Sequence, residues 1–114
     1  MEKIPELCHV GDALEIIVGK WKPMILLVLL QEGTKRFSDL KRKLPDISQK
    51  MLTQNLRELE EEGIIERIVY PEVPPRVEYS ISEYGRSLEP LLDAMHSWGV
   101  SHVLRKEEKL LHVK

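Results

Sequence analysis

Gln49, Lys50, Thr53, Gln54 and Arg57 fall on one side of any helix drawn through "SQKMLTQNLRELEEEG". Successive helical residues turn by about 100°, so Leu52, Leu56 and Leu59 occupy the other side. The polar set suits the reading of base edges. Glutamine can pair bidentately with adenine, lysine or arginine with guanine, and threonine can touch a base edge or a thymine methyl. Charge around this segment is segregated: Lys35, Arg36, Lys41, Arg42, Lys43, Lys50 and Arg57 face only Asp39 and Asp46, net +5. The next ten residues hold Glu58, Glu60, Glu61, Glu62 and Glu66 against Arg67, net -4. An ordinary solvated helix face would carry glutamate throughout. Here glutamate is held back to position 58 and beyond, so the N-terminal half of the helix is the part suited to approach a phosphate backbone. Lys35, Arg36, Lys41, Arg42 and Lys43 are expected to contact phosphates, which position a protein on DNA and make affinity fall with salt. Ser38 and Ser48, at the helix starts, complete the expected DNA-contacting set.

Other chemistries find less support. Cys8 stands beside His9 with Lys3 nearby, an arrangement that can favour a reactive thiolate, although a free cysteine also serves as a small buried hydrophobe. His9, His96, His102 and His112 lack the paired compact spacing of metal ligands, so no metal is expected. There is no nucleophile elbow, glycine-rich phosphate loop or zinc-protease motif, so the sequence points away from an enzyme and from a bound cofactor. A single cysteine fits a reducing cytoplasm. The apolar run Met24 to Leu30 is far shorter than the roughly 20 residues that span a bilayer.

The elements that must position these residues follow from periodicity. At 114 residues and 42% apolar content, the chain 1–114 is expected to form one domain, although its net charge of only -2 conceals the segregation above. A first helix is expected over about 10–18, with Ala13, Leu14, Ile17 and Val18 on one face and Gly19 as its stop. A second, apolar nearly all round, runs from about Lys22 to Gly33 and reads as the core pillar, with Trp21 at its seam. Ser38 is expected to cap a short helix that carries Leu40 and Leu44 and stops at Pro45. After a turn of about three residues, Ser48 caps the helix of the opening lines, and Gly63 ends it. This is a helix-turn-helix over about 37–62. Two β-rich runs, "GIIERIVY" and "RVEYSIS", flank "PEVPP" and make a wing over about 64–82, whose prolines give it reach and stiffness. Arg76, at the end of that loop, is expected in or near a minor groove. A last helix over about 83–106, capped by Ser82 and kinked near Pro90, carries Leu88, Leu91, Leu92, Met95 and Trp98 at three- and four-residue steps. That stripe is a candidate dimer surface. The expected fold is mainly α with a small β-hairpin: a winged helix-turn-helix with terminal helices at a dimer interface.

Taken together, "GKW" (19–21), "RFSDL" (36–40), "IS" (47–48), Met51, Leu52 and Leu56, "LEEEG" (59–63) and "PPRVEYSISEYG" (74–85) resemble the HxlR-type transcription regulators, relatives of the MarR-type winged-helix proteins. The resemblance covers residues of about 8–100. It implies a cytoplasmic homodimer on a palindromic operator in double-stranded DNA, with the second helix of the motif in the major groove and the proline hairpin toward the minor groove. It also points to Cys8, because members of the family often carry a cysteine just before the first helix that senses electrophiles, quinones or disulfide stress. Many members have proline after that cysteine, where this chain has His9. The alternative from another class is a winged-helix domain used only for protein contacts.

Overall fold

The computed structural model describes residues 5–17 and 19–112, with side chains described from His9 to Ile17 and from Gly19 to Leu111. Helix α1 spans Pro5–Ile17, α2 Trp21–Glu32, α3 Phe37–Lys43, α4 Gln49–Glu61 and α5 Glu89–His112. Three strands, β1 (Lys35–Arg36), β2 (Ile65–Tyr70) and β3 (Arg76–Ile81), form one antiparallel sheet in the order β1-β3-β2. The architecture is a winged helix-turn-helix, mostly helical with a three-stranded sheet.

The pillar is α2, which touches α1, α3, α4, α5 and β3. Its Ile25, Leu26 and Leu29 are fully buried. They meet Leu40 and Leu44 of the α3 segment, Leu52, Leu56 and Leu59 of α4, Ile64 and Ile65 at the wing's base, and Leu92 of α5 in one continuous core. Each such side chain removes enough apolar surface from water to contribute about 1.5–3 kcal/mol, so the core outweighs any single cap or ion pair.

Several elements differ from the sequence-based expectation. Helix α1 is already formed at Pro5, five residues ahead of the expected start, and it continues through Gly11. Ser38 is not a cap: α3 starts at Phe37 after Arg36, whose backbone N–H donates to Asp39 Oδ2 at 3.1 Å. The connection from α3 to α4 comprises residues 44–48, longer than about three, because Ile47 must reach back into the core. Strand β1 is invisible to pattern reading, since two residues have no period; it forms by pairing Lys35 with Tyr79 and Arg36 with Glu78. Ser82 does not cap the last helix: its hydroxyl accepts from the Gly85 N–H at 2.9 Å, just ahead of a 3-10 turn at Gly85–Leu88 that starts after Tyr84. Pro90 therefore lies in the first turn of α5, where its missing N–H costs no helical hydrogen bond and introduces no mid-helix kink. The last helix runs on to His112, beyond the expected end near 106. Among the described residues no helix is long and apolar enough to cross a membrane.

Candidate nucleic-acid interface

Both ends of α4 are set locally. Ser48 accepts from the Met51 N–H at 3.0 Å, and its extended backbone turns the chain into the helix. At the other end Gly63 adopts φ 75°, while the Gly63 N–H reaches Glu60 O at 3.0 Å and the Ile64 N–H reaches Leu59 O at 3.0 Å. This double closure needs the left-handed backbone that glycine accepts cheaply, and buried Ile64 then packs near buried Leu59. With Leu52, Leu56 and Leu59 in the core, Gln49, Lys50, Thr53, Gln54 and Arg57 are all exposed on the opposite side. Met51 is exposed as well, to one side of this set.

The cations divide by partner. Glu32 at the end of α2 binds Lys35 Nζ at 3.2 Å and Lys43 Nζ at 2.9 Å, which ties α2 to β1 and α3. Hydrogen bonds from Lys43 and then Lys35 hold the Glu32 carboxyl below its ordinary range. Arg42 pairs with Asp39, and Lys41 Nζ donates to Pro45 O at 3.0 Å. Lys50 and Arg57 form no ion pair with any described residue, and Arg36 is exposed at the edge strand. Gln54 is held too: its Nε2 donates to Glu58 Oε2 at 2.7 Å, while Glu58 Oε1 meets Lys22 Nζ at 2.7 Å. Those contacts, Gln54 first and Lys22 second, keep the Glu58 carboxyl below its ordinary range.

The wing is built from the register Ile65↔Ile81 to Tyr70↔Arg76, with residues 71–75 as its tip and Val73 fully exposed there. Arg76 does not project. Its guanidinium lies 4.1 Å over the Tyr70 ring and pairs with Glu72 at 3.3 Å and Glu78 at 3.6 Å. The residue expected in or near a minor groove is thus already paired within the wing, with Glu72 of the tip and Glu78 two residues along β3. Between α4 and the sheet lies a cleft of about 320 Å³ lined by Thr53, Arg57, Glu60, Arg67 and Tyr79. Arg67 was not among the sequence-derived candidates, because a lone arginine after five glutamates gives no local signal.

The stripe on α5 splits in two. Leu92 is 2% exposed and belongs to the chain's own core, and Leu88 packs against that core, so neither is available to a partner. The reason is geometric: the start of α5 lies on α2. Leu91, Met95 and Trp98, the last at 69% exposure, do face outward, and so do Val100, Val103, Leu104, Leu110 and Leu111 beyond them. These further positions fall out of step with the stripe, because three and four residues past Trp98 stand Ser101 and His102, so the spacing gave no signal for them. On α1, Val10 and Leu14 are also exposed. Cys8 lies within α1 rather than before it, and its side chain is outside the described residues.

Comparison with known proteins agrees with this geometry. The family model described as HxlR-like helix-turn-helix matches residues 16–107. An uncharacterised HTH-type transcriptional regulator, YtcD of Bacillus subtilis (strain 168), is 56% identical over 105 residues, covering 92% of this chain and 82% of YtcD. A crystal structure of YtcD superposes with a TM-score of 0.78 at 60% identity, covering 82% of this chain and 95% of that one. The reduced form of the redox regulator HypR superposes with a TM-score of 0.79 at 47% identity, covering 85% and 97% respectively.

Proposed function

Because the chain belongs to the HxlR-like helix-turn-helix family of transcriptional regulators, we propose that it binds double-stranded DNA as a homodimer on a palindromic operator, with α4 in the major groove. The observation that carries this reading is the exposed face of α4. Its polar and cationic side chains lie together, its leucines are buried behind them, and its uncompensated acids are confined to the C-terminal end. Lys50 and Arg57 supply charge that no carboxylate of the described chain neutralises; Gln49, Thr53 and Gln54 supply hydrogen-bonding groups for base edges. Lys35, Arg36, Ser38, Lys41, Arg42 and Ser48 border this face and approach the phosphates. Arg76 braces the wing so that the proline tip keeps its shape on docking.

The dimer reading rests on the exposed apolar side chains of α5, with Leu91, Met95 and Trp98 on one side and Val100, Leu104 and Leu111 on another, and with a groove of about 470 Å³ lined by Met95, Val100, Val103 and Leu104. Isolated soluble domains seldom leave so many large apolar side chains in water along one element. Two copies joined there would present two α4 helices to two half-sites. The redox reading rests on the solved HypR neighbours, recorded in oxidised and reduced forms, and on the chain's one cysteine, Cys8.

A gel-shift titration against the protein's own upstream DNA at low and moderate salt tests the proposal. We expect binding that weakens steeply with salt, by about a thousandfold between 50 and 200 mM if six or more phosphates are contacted. Absent or salt-insensitive binding would favour the protein-interaction module instead. In the same assay diamide should release DNA from the wild type but not from Cys8→Ser, and equal release would end the sensor reading.

A further inference from the structure

Glu58 is an acid beside the polar face of a helix whose other carboxylates are kept further back, and both of its oxygens are committed. Oε1 is held at 2.7 Å by Lys22, a side chain only 12% exposed that rises from α2; Oε2 receives Gln54 Nε2 at 2.7 Å. A carboxylate accepts hydrogen bonds and donates none. The amide nitrogen of Gln54 must therefore turn toward Glu58, which leaves the carbonyl Oε1 and one remaining N–H for whatever approaches α4. A free glutamine presents either end of its amide equally well.

We infer that Glu58, buttressed by Lys22, is a positioning residue that fixes the polarity of the Gln54 amide and thereby selects a base that presents an amino donor in the major groove. This inference rests on the reading that α4 enters a DNA major groove. Adenine offers the N6 amino donor to Oε1 and N7 to the remaining N–H, so it is matched twice; cytosine is matched once through N4. Guanine presents two acceptors, O6 and N7, and thymine presents O4 and a methyl group, so each can take the remaining N–H but leaves Oε1 without a donor, and only adenine is matched twice. Fixing the amide beforehand also removes the freedom that Gln54 would otherwise lose on docking. The linkage joins the core helix α2 to a side chain on the outer face of α4, so its register is set by the tertiary fold.

Selection of bound sites from a randomised duplex library, with affinities for single-base variants of the recovered site, tests this on the full chain. The wild type should prefer adenine at one position in each half-site, and Gln54→Ala should abolish that preference. Glu58→Gln has nearly the same shape but can donate as well as accept. It should reduce the preference at the same position by about tenfold, while affinity for random duplex stays unchanged or rises because a negative charge is gone. A merely structural role for Glu58 would lower the melting temperature and weaken every site evenly; that result would overturn the inference. Full wild-type preference in Glu58→Gln, or in Gln54→Ala, would overturn it too. A wild-type protein that selects no sequence would remove both this inference and the DNA reading beneath it.

Discussion

Gly85 offers the sharpest perturbation of this fold. A methyl group added there would lie 2.1 Å from the Ile64 carbonyl oxygen and 2.9 Å from Ile81 Cδ1. The carbonyl cannot simply retreat, because it accepts from the Ser82 N–H at 3.0 Å and from Ser82 Oγ at 2.9 Å, while Ser82 Oγ accepts from the Gly85 N–H at 2.9 Å. Relief requires a shift of about 1 Å at a buried junction that joins the C-terminus of α4, the end of β3 and the entry to α5. Overpacking of a tight site costs about 1–3 kcal/mol. Weakening one or two of the hydrogen bonds adds about 0.5–1.5 kcal/mol each. Gly85→Ala should therefore lose about 3 kcal/mol or more, a fall in Tm of roughly 12 °C for a domain of this size. Thermal and urea denaturation at one protein concentration measure it, the concentration being fixed because association would shift Tm. Gly11→Ala is the control: nothing lies within 4 Å of its added methyl, so relief of glycine's backbone entropy in α1 should raise stability by about 0.5–1 kcal/mol. A Gly85→Ala protein within about 0.5 kcal/mol of wild type would refute the reasoning.

Further outcomes follow from the same contacts. Ser48→Ala should cost about 1 kcal/mol by loss of the Met51 N–H partner, whereas Ser38→Ala, which caps nothing, should cost less than about 0.5 kcal/mol in the same denaturation series. Lys50→Ala and Arg57→Ala should each lower the slope of log affinity against log salt by about 1; Arg42→Ala and Arg76→Ala, whose charges already face carboxylates, should lower it less, and equal slopes would contradict the division. Leu92→Ala should cost about 2–5 kcal/mol as a core cavity, while Leu104→Glu on the outward strip should shift sedimentation toward monomer with helix content retained. The Glu32 carboxyl should titrate below its ordinary range by NMR, since Lys43 and Lys35 favour its charged form. With its folded-state pKa lowered, its contribution is complete above the unfolded-state value and is lost as pH falls through the folded one, so Glu32→Gln should remove that part of the acid-side decline.

Local chemistry was legible wherever cause and effect lie within about four residues. Ser48 caps the helix that its spacing to Met51 implies, Gly63 closes it, and the leucines at 52, 56 and 59 are buried because helical period places them on one face. The polar face of α4 was readable for the same reason, and so were the two runs that became β2 and β3. Ser38 misled because serine suits a cap in isolation, yet Arg36 is drawn into the sheet by pairing with Glu78, and the helix starts directly after it.

By itself, then, the sequence determined the helices and wing strands, the segregated charge and the family pattern, since these depend on residue type and short spacing. Tertiary structure alone decided which of those residues are free to act. Folding brings Glu32 to Lys35 and Lys43, turns Arg76 onto Tyr70 between two glutamates, sends Leu92 inward while Trp98 stays out, and places Lys22 behind Glu58. Lys22 and Lys43 reach their partners from elements distant in the chain, and Leu92 is covered by α2. The short-range pairs of Glu32 with Lys35 and of Arg76 with Glu72 and Glu78 form because a helix end, a strand and a wing tip turn those side chains together. Spacing along a chain can nominate a cation or an apolar stripe; its availability depends on what the rest of the fold packs against it.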